Sequence, residues 1–292
     1  MRAFVTGASG WVGSAVVPEL VAAGHHVLGL ARSDSSAAAV TAAGAEVLRG
    51  DLDDLDALTA GAADCDGVVH LAFIHDFSRF EASVQADARA IGALAAALEG
   101  TGKPLVVTAG TPAVPGRAAT ERDTSAPGSP AAGRDANAAL ALDSAARGVR
   151  SSVVRLPRTV HGEGDHGFVA HLVATARQRG ASGYVGDGAG RWPAVHVRDA
   201  ARLYRLALEG APAGSVLHAV ADEGVPVRGI AEVIGRHLGL PTASAPAEDF
   251  GFLGGILAVD QPASSALTRE LLDWHPTGPG LLEDLEKGHY FG

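Results

Sequence analysis

The sequence predicts an α/β fold: a doubly wound parallel sheet with helices on both faces, and a smaller C-terminal lobe. Three observations predict it. Short apolar segments alternate with amphipathic segments of helical period through the first half of the chain. The expected sheet segments are apolar throughout, as strands covered on both faces are. A glycine-rich turn, Thr6-Gly-Ala-Ser-Gly-Trp-Val-Gly13, follows the first of them directly.

Taken in order, strands are expected at residues 3–6, 26–30, 45–49, 67–71, 104–108 and 151–156. Helices are expected between them at 11–23, 35–43, 52–60, 79–99 and 131–147. Right-handed crossovers then give a Rossmann sheet that binds ligands at the carboxyl ends of its strands. Residues 111–129 are rich in Pro, Gly, Ala, Ser and Thr and have no helical period. They read as a long surface loop beside the ligand, either a lid or a passive connection. Helices follow at 168–179, 199–209, 227–238 and 264–274, with a strand at 215–220. The expected division is a dinucleotide-binding domain over 1–160, rejoined by 195–222. A substrate-binding lobe takes 161–194 and 223–292.

The glycine turn is a phosphate cradle. Gly7 permits the tight turn, Gly10 lets the backbone approach a pyrophosphate, and Gly13 lets helix and strand pack closely. The N–H groups opening the helix, over Trp11, Val12 and Gly13, offer donors and a partial positive charge. Thr6 and Ser9 belong to the same turn, Ser9 as a phosphate donor rather than a nucleophile. The second strand ends in Leu30-Ala31-Arg32-Ser33, where NAD-binding sheets place an acid. Arg32 and Ser33 suit a 2′-phosphate instead, so NADP(H) is preferred over NAD(H). The plain alternative is a solvated arginine that tolerates either. Asp51 and Leu52, after the third strand, border the adenine; Asp51 also suits a helix N-cap.

Bulk properties narrow the partners. A chain of 292 residues with 47% hydrophobic and 19% charged residues is globular. A formal charge of −10 with no Lys/Arg run argues against nucleic acid and anionic membranes. Cys65 is the only cysteine, which excludes intramolecular disulfides and cysteine-rich zinc sites. No apolar run reaches the roughly 18 residues that span a bilayer, and a strand starting at residue 2 leaves no space for a leader. A cytoplasmic protein acting on a small molecule is the expectation.

Six stretches carry a family resemblance: TGASGWVG (6–13), GDL (50–52), VVHLA (68–72), RLPRTVHGEGD (155–165), GDGAGRWPAVHVRDAA (186–201) and LTRELLDWHPT (267–277). In order and spacing the chain resembles the extended short-chain dehydrogenase/reductase superfamily, the epimerase/dehydratase-like branch. The resemblance implies that Leu71, Ala72 and Phe73 line the cofactor diphosphate and ribose. It places Thr108, or Thr111, at the catalytic Ser/Thr position, and Leu156 and Pro157 against the nicotinamide. It makes His196 and Asp199 structural supports. It also implies a homodimer joined through the alanine-rich helices 79–99 and 131–147, although alanine favours helix by itself. The superfamily's Tyr, with Lys four residues on, has no counterpart here. The tyrosines are Tyr184, Tyr204 and Tyr290, and the lysines Lys103 and Lys287. The chain therefore resembles the atypical subgroup.

Another proton source is then needed for a ketone, though not for an iminium ion, which arrives protonated. His161, Asp165 and His166, in HGEGDH after the sixth strand, are candidates, with His161 where the family carries a Tyr-Gly tyrosine. A polar loop or a metal site are the other readings of that cluster, but its spacing suits no single helical face, and no metal is expected. His75, in AFIHD after the fourth strand, is a candidate relay or a surface residue, with Asp76 or Ser78 capping the next helix. Trp192 and Tyr184 read as packing anchors or pocket lining. His25, His26 and His237 read as surface residues. Two functions remain: an NADPH-dependent reductase of a small C=O or C=N substrate, or a non-catalytic NADP(H)-binding redox sensor.

Overall fold

The computed structural model describes residues 1–126, 128–129 and 131–292. Chain order runs β1 (Arg2–Thr6), α1 (Gly13–Ala22), β2 (His26–Ala31), α2 (Asp34–Ala42), β3 (Glu46–Arg49), α3 (Leu55–Asp64), β4 (Gly67–His70), α4 (Phe80–Leu98), β5 (Pro104–Gly110), α5 (Ala132–Asp143) and β6 (Arg150–Leu156). There follow β7 (Thr159–His161), α6 (Phe168–Arg179), β8 (Ser182–Tyr184), β9 (Arg191–His196), α7 (Val197–Gly210), β10 (Ser215–His218), β11 (Asp222–Pro226), α8 (Val227–Leu238), β12 (Thr242–Ser244), α9 (Leu253–Leu257), α10 (Ala266–Leu272) and α11 (Leu281–Glu286).

The main sheet has seven strands in the order β10-β6-β5-β4-β1-β2-β3, all parallel. Its strands alternate side chains between two apolar layers. Ala3, Val5, Val69, Val106 and Val154 pack on one face with α1 and α7. Phe4, Val68, Leu105, Val107 and Val153 pack on the other with α3, α4 and α5. Each fully buried Val, Leu or Phe contributes about 1.5–3 kcal/mol, which is why this run of strands was legible. The chain reverses direction across the sheet between β1 and β4, and a crevice opens outside their carboxyl ends.

A third apolar cluster gathers α6, α8, α9 and α11 around Trp192, which is fully buried against Phe168. Beneath it lies a three-stranded sheet, β11-β9-β7, absent from the sequence expectation. Pro193 hid its central strand, since proline cannot donate to a ladder. The register shows the solution. Asp222 pairs Ala194 and Val225 pairs Trp192, so a bulge in β11 lies opposite Pro193.

Several boundaries move for physical reasons. The helix expected at 11–23 starts at Gly13, because the turn consumes the preceding residues. The helix expected at 52–60 starts at Leu55. Its N-cap is Asp54, which accepts from Ala57 N at 3.0 Å; it is not Asp51. Asp51 instead accepts from the N–H groups of Asp53 and Asp54, an Asx turn. The helix expected at 131–147 ends at Asp143, and a 3₁₀ turn at Ser144–Arg147 closes on left-handed Gly148. Asp76 caps a 3₁₀ turn that leads into α4. The segment after β5 is anchored at Ala119 and Glu121; part of the loop expected at 111–129 lies outside the described residues. Ala119 forms a parallel bridge to Ala263, and Glu121 accepts from Thr268 N and Oγ1, so the C-terminal tail straps it down. Among the described residues, no helix is long and apolar enough to cross a membrane.

Candidate active site

The glycine turn fits a diphosphate. Gly7 has φ +68°, and a Cβ there would lie 2.7 Å from Ala72 N. A Cβ on Gly13 would lie 2.1 Å from Gly7 O, so only glycine lets α1 approach the turn. Gly10 differs: a Cβ would meet only Gly7 O, at 3.2 Å, and would otherwise fill open space where a ligand can approach. No side chain caps α1, and the N–H groups of Trp11, Val12 and Gly13 have no acceptor among the described residues. Ser9 is exposed on the same surface. Trp11 ties the turn to β7, donating from Nε1 to Val160 O at 2.8 Å and standing edge-on to His166.

The nucleotide end is divided among neighbouring residues. Arg32 is exposed and has no hydrogen bond or ion pair among the described residues. Ser33, expected beside it, has its hydroxyl in the capping box of α2 with Ser36. Asp34 pairs with Arg49 at 2.6 Å. Leu52 is buried, and Leu71, Ala72 and Phe73 are half-buried along the crevice. Leu156 and Pro157 close the end of β6.

Thr6 is fully buried and does not face the crevice; its side chain positions the loop after β4. Ala72 N donates to Thr6 Oγ1 at 3.3 Å, and Thr6 Oγ1 lies 2.8 Å from His70 Nδ1. His70 Nε2 lies 3.1 Å from Asp87 Oδ1, whose other oxygen accepts from Asn137 Nδ2 at 2.7 Å. A carboxylate only accepts, so His70 Nε2–H donates to Asp87. Burial alone would raise the Asp87 carboxyl. His70, Arg134 and Asn137 together outweigh it and hold that carboxyl below its ordinary value.

Arg134, on the first turn of α5, was not singled out from sequence. Its Nη2 donates to Thr108 O at 2.8 Å. The guanidinium lies 3.9 Å from the centre of the Phe73 ring and 3.7 Å from Asp87. Its Nη1 is buried without a hydrogen bond among the described residues. Being the one cation on the helix where the superfamily carries its acid was the signal available.

Thr108 stands at the end of β5 as expected, but its hydroxyl is spent. Oγ1 donates to His70 O at 2.9 Å and so accepts from Tyr204 OH at 2.8 Å. Burial pushes the Tyr204 phenol well above its usual range, so Tyr204 acts as a buried donor. Thr111, the other threonine at that position, keeps a buried Oγ1 with no partner among the described residues.

The candidate histidines separate. His75 stands at the rim, edge-on to Phe73. Partial burial and then the Arg134 charge hold it below the ordinary histidine value, neutral at neutral pH. His166 is exposed beside Trp11 and shares the same rim. His161 is elsewhere, fully buried, with Nδ1 3.0 Å from Asp284 Oδ2. Asp165 accepts from Tyr290 OH at 2.8 Å and from Gly167 N at 2.7 Å, and burial raises its carboxyl. His161 and Asp165 thus fasten the turn after β7 to the C-terminal tail. Among the described residues, no group of three or more His, Cys, Asp or Glu side chains could hold a metal. Asp199 accepts from Thr277 N and Gly278 N, the structural support that the resemblance implies.

Comparison with known proteins agrees with this fold. The model of the NAD dependent epimerase/dehydratase family matches residues 3–219. An uncharacterised protein of Schizosaccharomyces pombe is 46% identical over 295 residues, covering 100% of both chains. The 4-hydroxy-2-methyl-3-oxo-4-farnesyl-3,4-dihydroquinoline-1-oxide ketoreductase of Stigmatella aurantiaca is 32% identical over 236 residues, 78% of this chain and 70% of that one. Among solved structures, UDP-glucose 4-epimerase of Thermotoga maritima superposes with a TM-score of 0.81 at 19% identity, covering 100% of this chain and 98% of that one, and shares the fold.

Proposed function

The chain belongs to the NAD-dependent epimerase/dehydratase family, and from that premise we propose that it is an NADPH-dependent reductase of a small carbonyl compound. One observation carries the reading: an enclosed guanidinium, Arg134, at the carboxyl end of β5, whose Nη1 stands 3.7 Å from Asp87 and makes no hydrogen bond among the described residues. The 32%-identical relative named a ketoreductase supports C=O over C=N as the bond reduced.

The coenzyme, when bound, supplies hydride from its nicotinamide ring. The Gly7–Gly13 turn would hold its diphosphate, and Asp51, Leu52, Leu71, Ala72 and Phe73 its adenosine and ribose. Leu156 and Pro157 would back the nicotinamide. Arg32, exposed where the sheet has no acid, would hold a 2′-phosphate. Arg134 cannot give up its proton at neutral pH, but it stabilises negative charge growing on the substrate oxygen. Thr108 O, Asp87 and Phe73 fix its orientation, so little reorganises during reaction. His75 and His166, at the rim, relay the proton from solvent. A two-fold dimer through α4 and α5 and a cytoplasmic location belong to the same proposal.

Steady NADPH consumption with a panel of ketones, imines and enones tests the reading. Turnover of ketones, faster with NADPH than with NADH, is expected. Tight NADPH binding without turnover of any compound would overturn it.

A further inference from the structure

We infer that the substrate site contains a pocket for one carboxylate, built on Arg158 and set by Gln261. This rests on the reductase reading above and narrows its substrate to oxo-acids.

Arg158 lies between β6 and β7, directly beyond Leu156 and Pro157. Its side chain donates from Nη2 to Gln261 Oε1. Gln261 is buried and donates from Nε2 to Thr111 O, while its backbone N donates to Arg191 O at 3.0 Å. Thr111 N in turn donates to Leu156 O at 2.9 Å. This circuit joins the ends of β5 and β6 to the segment before α10, at the junction of the two lobes.

The charge on this circuit has no counter-charge. Among the described residues no carboxylate lies within ion-pair distance of Arg158. Other arginines here lean on a carboxylate or on backbone carbonyls. Arg134 faces Asp87, Arg150 donates to Ala211 O and Leu208 O, and Arg155 donates to Asp123 O. Arg158 has five N–H donors, and its one protein partner among the described residues is an amide oxygen. Burial pushes the guanidinium down to about 10, so it remains charged at neutral pH. A half-buried cation held in place by a neutral amide keeps a charge that a ligand's anion would meet.

Two hydroxyls in the segments joined by this circuit are without work of their own. Thr111 Oγ1 and Thr159 Oγ1 are both buried and have no partner among the described residues. One is on the Gln261 circuit and the other is next to Arg158 in the chain. The charge count selects the ligand. Arg191, the neighbouring arginine, is committed to Asp260 at 2.8 Å. One free positive charge with neutral donors matches a planar monoanion; a phosphate dianion or a diphosphate needs more.

The test compares 4-oxopentanoate and 5-oxohexanoate with their methyl esters in NADPH oxidation. It adds calorimetry of hexanoate, and of inorganic phosphate, with the full chain saturated in NADP⁺. The acids are expected to exceed the esters in kcat/KM by ~10- to 100-fold, the span of a charged hydrogen bond. Hexanoate should bind and phosphate should not displace it. Arg158→Gln should erase the acid preference, bringing kcat/KM for the acids down to that for the esters. Gln261→Glu places a carboxylate beside Arg158; it should raise the melting temperature and erase the same preference. Equal use of acids and esters, failure of hexanoate to bind, or tighter binding of phosphate would overturn the inference. Hexanoate binding that Arg158→Gln abolishes, in a protein that reduces none of the carbonyl probes, would uphold the pocket and defeat the reductase reading alone.

Discussion

Replacing Arg134 by glutamine isolates the charge at the carboxyl end of β5. In the resting protein that charge makes one hydrogen bond to Thr108 O at 2.8 Å, one ring contact at 3.9 Å and one ion pair at 3.7 Å. Asp87 keeps its hydrogen bonds to His70 and Asn137 in the variant, so no carboxylate is left bare. The fold should lose about 1–2 kcal/mol, a drop of a few degrees in Tm. The effect on reaction is larger. A neutral carbonyl gains little from a guanidinium, whereas the developing alkoxide gains about 3–4 kcal/mol from an enclosed donor. kcat should therefore fall by roughly 100- to 1,000-fold while KM stays within about threefold. Arg134→Lys, which keeps the charge but not the fork, should recover part of the loss. The assay is NADPH absorbance with the best ketone from the panel, paired with fluorescence titration of NADPH to confirm unchanged coenzyme binding. A variant that keeps kcat within threefold of the parent, with its fold intact, would refute a role for Arg134 in charge stabilisation.

Other expectations follow from single contacts. Arg32→Ala should raise KM for NADPH by ~10- to 100-fold and leave KM for NADH unchanged; equal effects on both would remove Arg32 from the 2′-phosphate. His161→Gln should lower stability by about 2–3 kcal/mol, because Asp284 loses its buried partner. Turnover per folded molecule should not change, as urea unfolding and kinetics on the same sample would show. His218 is fully buried, with Nδ1 2.8 Å from Ser264 O and Nε2 facing Arg155 Nη1 at 3.4 Å. Burial lowers it from 6.5 to about 4. The folded protein resists its protonation while the unfolded chain does not, so stability is full above pH 6.5 and declines as pH falls toward 4. About 2 kcal/mol should be lost by about pH 5, and His218→Gln should flatten that part of the urea-midpoint profile. Asp87 and Asp284 have depressed carboxyls, so their contribution disappears only at still lower pH.

What the sequence revealed and what it hid divide along a physical line. The parallel sheet was legible because its strands are covered on both faces, and apolar content records that locally. The glycine turn was legible for a similar reason, since Gly7 and Gly13 are dictated by backbone contacts within the turn and with Ala72. Sites made by long-range pairing left no local trace. Thr6 looked like a coenzyme ligand by position, yet its hydroxyl belongs to a relay reaching His70 and Asp87. Thr108 sits where expected, but Tyr204, on another helix, occupies its hydroxyl. His161 carried the chemistry of a catalytic residue, and only the fold shows Asp284 taking its ring and sealing it from solvent.

The same distinction explains why the two arginines proposed for function escaped a reading by motif. An arginine is ordinary in sequence; a half-buried one is informative only through what it lacks. Arg134 has a nitrogen, Nη1, with an ion pair but no hydrogen bond among the described residues, and Arg158 has a charge with no carboxylate within ion-pair distance among them. Had these side chains been selected for stability alone, an acid in place of Gln261 would have served better, because it would neutralise Arg158 in the empty protein. A neutral amide there holds the guanidinium still without consuming its charge. Rigidity without neutralisation is what a binding site for an anion requires, and it is why Gln261→Glu, rather than removal of Arg158, separates a structural arginine from one kept for substrate.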